Sequence, residues 1–125
     1  MSARYHRLIL LCGALLLFAS TACRKEARSA TVVTPEGAPK VIETAFDGAD
    51  ATVKAQAASA AEATRQQNPG ALTSLTEMMR RPDLTPEQRT ALGRCLPAAI
   101  AAASIAARNG DQKAKDALQA YNASK

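Results

Sequence analysis

TPEQRTALGRCLPAAIAAASIAARNGD, residues 85–111, decides the fold class. Thr85 stands at a cap position, Pro86 at the first helical position and Gln88 at the third, which is the pattern of a capping box. Beyond that start, Leu92, Cys95, Leu96, Ala99, Ile100 and Ala103 recur at helical spacing and form one apolar face. Pro97 interrupts the run. Its missing N–H leaves the Gly93 carbonyl without a donor, and its ring crowds that carbonyl, so a kink or break is expected near 93–97. From Pro97 to Ala107 the only polar side chain is Ser104. Ile100 and Ile105 project about 140° apart, so apolar groups point several ways, as in a helix placed centrally in its fold. Asn109-Gly110-Asp111 then closes the helix and opens another, with Gly110 suited to the left-handed exit and Asp111 to the next cap.

The last helix, about 112–122, presents Ala114, Ala117, Leu118 and Tyr121 inward and Lys113, Lys115 and Gln119 outward. Upstream, a shorter helix carries Leu72, Leu75, Met78 and Met79 and stops before Pro82, because Arg81 is disfavoured in helical geometry. Asn68-Pro69-Gly70 precedes it, with Asn68 as a cap and Pro69 at the first helical position. A further helix is expected from Glu43 to Gln67, its inner face built by Phe46, Val53, Ala57 and Ala60 and weakened slightly at Gly48. The pattern predicts an all-α domain over residues 43–125, with four to five short helices in a small bundle or helical hairpins. Pro97 to Tyr121 resembles one helical hairpin of tetratricopeptide or Sel1-like repeats, through Ala106-Ala107-Arg108-Asn109-Gly110-Asp111 with Ala114, Leu118 and Tyr121 following. No second copy at the repeat period is visible, and a stable solenoid needs about three. The stretch reads as two antiparallel helices.

Residues 24–44 are polar and hold Pro35, Gly37 and Pro39, which disrupt any helical period. Residues 23–42 are therefore expected to form a tether; seventeen coil residues, 24–40, would span roughly 20–25 Å. Ahead of them the composition changes again. Arg4 and Arg7 precede an unbroken apolar run of eleven residues, Leu8–Phe18, followed by Ala19-Ser20-Thr21-Ala22. A positive start, a short apolar run and small residues before a cleavage point are the layout of a secretory signal peptide, here residues 1–22. Eleven residues rise only about 16 Å as a helix, too short for a bilayer core that needs about twenty.

Ser20-Thr21-Ala22-Cys23 resembles the lipobox of bacterial lipoproteins. That family is cut just before the cysteine, whose thiol carries a diacylglycerol, so the resemblance implies Cys23 as the lipidated first residue. Ser20 stands where the family favours an aliphatic residue. Ser20 and Ala22 also satisfy the small-x-small rule of ordinary signal peptidase, which would leave a soluble periplasmic binding or accessory protein. The resemblance further implies acyl chains such as palmitate. With Arg24, and no Asp, after the cysteine, it implies the outer membrane facing the periplasm.

After cleavage, fourteen basic and eleven acidic residues remain, a mild net charge of about +3 that permits but does not demand an anionic partner. Export argues against nucleic acid. The only histidine, His6, leaves with the leader. Without it, the usual Ser-His and Cys-His nucleophile pairs cannot form, zinc and haem lack ligands, and no glycine-rich phosphate loop exists. No enzyme, cofactor, metal or small-molecule substrate is expected. Ser59, Ser74 and Ser104 have no lysine at a spacing suited to a dyad. Glu43, Asp47 and Asp50 form an i, i+4, i+7 stripe better read as acids near a helix start, with Asp50 paired to Lys54. Arg80, Arg81, Arg89 and Arg94 make a basic middle section, the candidate contact for anionic headgroups.

The chain from Cys23 onward holds seventeen large apolar residues and twenty-five alanines. Alanine lets helices approach closely but buries little area, and ordering each residue costs about 1–2 kcal/mol, so the domain is expected to be marginal. Two readings follow: an alanine face near residues 45–63 meets a protein partner or a second copy, or it forms the seam of a thin bundle. Cys95, left alone once Cys23 is acylated, is expected to be a small buried hydrophobe.

Overall fold

The computed structural model describes residues 32–125, and within them the chain is helical throughout, with no strand among the described residues. After a 3-10 turn at Pro35–Gly37, the helices are α1 (Ala38–Phe46), α2 (Ala51–Arg65), α3 (Ala71–Met79), α4 (Pro86–Arg108) and α5 (Gln112–Ala123). The expected signal peptide and Cys23 lie outside the described residues.

The expectation at the amino-terminal side is corrected in two ways. Residues 33–42 are not a tether. Thr34 caps the 3-10 turn by accepting from the Gly37 N–H at 3.3 Å, and Pro35 and Pro39 both sit at the first turn of a helical segment, where proline is tolerated. Val33, Ala38, Ile42 and Phe46 are buried in the core. The expected Glu43–Gln67 helix is also two helices. The chain leaves α1 at Asp47, turns through Gly48 and Ala49, and restarts at Asp50. The Asp50 carboxylate accepts from the Thr52 and Val53 N–H groups at 3.0 Å each, satisfying donors that a helix start leaves orphaned. Lys54 pairs with Asp47, not with Asp50: its Nζ donates to the Asp47 carboxylate at 3.0 Å and to the Asp47 carbonyl at 3.2 Å. The acidic stripe is thereby split across a turn, with one acid capping and another holding a lysine.

The remaining boundaries follow the sequence more closely. Between α2 and α3, Asn68 accepts from the Gly70 N–H at 2.8 Å and shapes a turn, so α3 begins at Ala71 and Pro69 stays ahead of it. Gln67 takes the left-handed conformation there, φ 53°. At the start of α4 the capping box is complete: Thr85 Oγ1 accepts from the Gln88 N–H at 3.2 Å, and Gln88 Oε1 accepts from the Thr85 N–H at 3.0 Å. Gly110 exits α4 at φ 96°, and Asp111 caps α5 by accepting from the Ala114 N–H at 3.0 Å. Pro97 does not break α4, which runs through it as one 23-residue helix.

Helix α4 packs against each of the other four helices, and α1, α2 and α3 join through their own contacts. The core runs from Val33, Ile42 and Phe46 across Leu72, Leu75 and Met78 to Leu92, Cys95, Ala99 and Ala103. Ala57, Ala60 and Ala61 on α2 are buried in it, so the inward alanines form a seam between closely approaching helices. Ala55 and Ala58 remain exposed on the other side of α2. Helix α4 departs from the expectation of burial all round: Pro97, Ala101 and Ile105 are exposed.

Candidate functional site

The four arginines of the basic middle section have different surroundings. The 80–85 segment leaves α3 and must turn sharply into α4. Arg81 grips it from within: Nε and Nη2 donate to the two oxygens of Asp83 at 3.0 and 2.8 Å, and Nη1 donates to Gln56 Oε1 on α2 at 3.2 Å. The bidentate geometry is the strong form of this pair. It raises the Arg81 pKa and lowers that of Asp83, whose carboxylate gains most from the Arg81 hydrogen bond. Arg89, on the first turns of α4, reaches back: Nη1 donates to the Met79 carbonyl at 2.9 Å and Nη2 to the Arg81 carbonyl at 2.8 Å. Helix ends leave carbonyls without intrahelical donors, and Arg89 supplies one at the end of α3.

Arg80 is exposed at the carboxyl end of α3. Arg94 is half-buried and lines an open groove of about 740 Å³ between α1 and α4, together with Val41, Ala45, Gly48 and Ala91. Arg94 lies five residues past Arg89, about 140° around the helix, so the two point apart. The structure therefore brings Arg80, Arg81 and Arg89 to one turn and sets Arg94 on another side. Within that turn, Arg81 and Arg89 hold the backbone in place. Position in the sequence signalled the cluster; it did not signal that the loop's own carbonyls and Asp83 would take up the guanidinium donors.

A second groove, of about 370 Å³, lies between α2 and α3 and is lined by Gln56, Ser59, Ser74, Glu77 and Arg81. It places Ser59 and Ser74 at one surface, but no lysine lines it, and the Ser74 hydroxyl donates to the Gly70 carbonyl at 3.3 Å. Among the described residues, no group of three His, Cys, Asp or Glu side chains is placed to hold a metal ion.

Cys95 is the free cysteine of the described residues and is 0% exposed. Burial pushes its thiol up to about 11, against a smaller opposing pull from the Arg94 charge. At neutral pH it is a neutral, enclosed thiol, poorly suited to nucleophilic attack. A disulfide to Cys23 would require the core around α4 to open.

Glu62 and Arg65, one turn apart on α2, form an exposed pair in which Arg65 Nε donates to Glu62 Oε2 at 2.7 Å and Nη2 donates to Oε1. Gln66 Nε2 adds a bond to the same carboxylate at 2.8 Å. The Arg65 bond first, then that of Gln66, brings the Glu62 pKa down to about 2. Exposed pairs of this kind contribute little to stability.

No known protein family matches the chain, and neither curated proteins nor solved structures give a significant match.

Proposed function

We propose that the chain is a non-enzymatic lipoprotein of the bacterial cell envelope, with a structural or interaction role, anchored through Cys23. The observation that carries this reading is the order of residues at the amino-terminal side: Arg4 and Arg7, the apolar run Leu8–Phe18, the small residues Ser20-Thr21-Ala22, then Cys23. Each buried CH₂ of an acyl chain contributes about 0.8 kcal/mol, and stable attachment needs at least two chains, which an acylated and diacylglyceryl-modified cysteine provides. Arg24 directs the reading toward the outer membrane, facing the periplasm. What supports a non-catalytic role is the chemistry: in the groove between α2 and α3 the Ser74 hydroxyl donates to the Gly70 carbonyl and no lysine lines the surface, and the one described thiol is enclosed. A protein partner or a second copy is proposed to meet the outer side of the alanine-rich helix α2.

Growth with a clickable fatty acid tests the anchor. Label is expected on the wild-type chain and lost in Cys23→Ser, which should also accumulate with residues 1–22 uncleaved. An unlabelled wild-type chain, released with the soluble periplasmic fraction, would favour the second reading. That reading, a soluble periplasmic binding or accessory protein, rests on Ser20 and Ala22 satisfying ordinary signal peptidase.

A further inference from the structure

Helix α4 is more apolar than its burial accounts for. By length and composition it could cross a membrane, yet only 33% of its most apolar 18-residue window is buried. From Cys95 to Ala107 it carries no charge. Its inward face fills the core through Cys95, Ala99, Ala102 and Ala103. The opposite face is open. Pro97, Ala101, Ile105 and Arg108 are exposed and Ala98 is half-buried. Together these five fall within roughly 100° of arc around the helix axis. Ile105, at 49% exposure, is one of two exposed large hydrophobic residues among those described; the other is Val32, at 65%.

Val32 stands at the start of the described chain, and Ile105 lies eleven residues past Arg94, about 16 Å along α4. The Val33 N–H donates to the Arg94 carbonyl at 3.4 Å, which places the start of the described chain against α4 one turn before Ala98. Only residues 24–31 separate Cys23 from Val32, a stretch that covers at most about 32 Å at full extension. A domain of this size has a radius of gyration of about 12 Å, so a leash of that length attached beside α4 favours approach by that side. The open face ends in the guanidinium of Arg108, whose aliphatic stem can lie along apolar surface while its charge meets anionic headgroups.

We propose that the Pro97–Ala98–Ala101–Ile105 face of α4, closed by Arg108, is the surface that rests on the lipid bilayer to which Cys23 is tied. The occupant is an anionic lipid surface, and the protein lies along it without spanning it. This inference rests on the anchor reading for its biological setting, but its test does not. The chain from Cys23 onward contains the whole described domain, and its Cys95 thiol is enclosed, so Cys23 can be coupled selectively to a maleimide lipid in vesicles of phosphatidylcholine and phosphatidylglycerol. Attachment is then supplied whatever the cell does.

The chain has no tryptophan, so Ile105→Trp introduces a single reporter, and Ala55→Trp on the exposed side of α2 serves as the control. The expected result is blue-shifted Trp emission at position 105, quenched by lipids brominated on their acyl chains, with neither effect at position 55. Ala101→Trp, one turn earlier on the same face, carries the same readout if Ile105→Trp lowers the helical circular dichroism. Emission at 105 and 101 that stays water-like on vesicle-coupled protein overturns the proposal while leaving acylation of Cys23 untouched. A blue shift that grows with protein concentration in the absence of vesicles also overturns it, because a second copy then covers the face.

Discussion

The two sides of α4 are made from nearly the same residue types and meet different surroundings. Inward, Leu92, Cys95, Ala99 and Ala103 are closed over by neighbouring helices. Outward, Pro97, Ala101 and Ile105 are exposed. Composition alone does not distinguish them. What does is where α1, α2, α3 and α5 can reach, and four shorter helices cannot surround a helix of 23 residues. The difference also accounts for Pro97. A proline inside a helix is costly, and here it sits where its ring need not displace a packed neighbour.

The inward side breaks most easily. Leu92→Ala should cost about 2–5 kcal/mol in urea unfolding, because its neighbours span the core and collapse only partly into the space. A loss below about 1 kcal/mol would mean that α4 is not the central helix. Next in size is a gain. Pro97→Ala restores the missing N–H opposite the Gly93 carbonyl and should stabilise the domain by up to about 3 kcal/mol, read by the same unfolding curve. Unchanged or lower stability would mean that the helix is built around the proline. Thr85→Ala removes one half of the capping box and should cost about 1 kcal/mol, lowering the thermal midpoint by a few degrees. Ile105→Ser on the outward side should change the stability of the free domain by no more than about 0.5 kcal/mol. Inequality between Leu92 and Ile105 is the core of the comparison, and equal losses would erase it.

The smallest effect is an acid one on the surface. The Glu62 carboxylate is held below its unfolded value by Arg65, so its contribution is present above the ordinary glutamate range near 4.5 and is lost as pH falls toward about 2. Salt screens an exposed pair, so Glu62→Gln should move the acid limb of the stability curve only slightly. A large shift of that limb would show that α2 is held by its surface charges and not by its alanine seam.

Two Thr-Pro-Glu starts show what was legible in the sequence. Thr85-Pro86-Glu87 is followed by Gln88 and a long apolar period, and the start of the helix was readable, though not its continuation through Pro97. Thr34-Pro35-Glu36 is followed by Gly37, Ala38 and a second proline, Pro39, and it read as a tether. Both threonines cap. The first start was hidden because its prolines looked like breakers, when each stands at the opening turn of a helical segment. The break at Gly48 was concealed as well: Asp50 read as one acid of a stripe near the start of a longer helix, paired with Lys54, and is a cap. Left-handed exits were legible at Gly110 and not at Gln67, since only glycine announces that conformation. For the candidate arginines, the sequence grouped Arg80, Arg81, Arg89 and Arg94, and the structure brings together the first three. The sequence could not show that Arg81 and Arg89 spend their donors on Asp83, Gln56 and backbone carbonyls, because those partners are fixed by the turn between α3 and α4.

Attachment through Cys23 remains the claim on which function depends. Intact-mass and peptide mass spectrometry of the chain purified from membranes measures it directly. The account predicts an amino-terminal peptide that begins at Cys23 and carries the mass of a diacylglycerol with a further acyl group. An unmodified peptide beginning at Cys23, or one still bearing residues before it, would contradict the account.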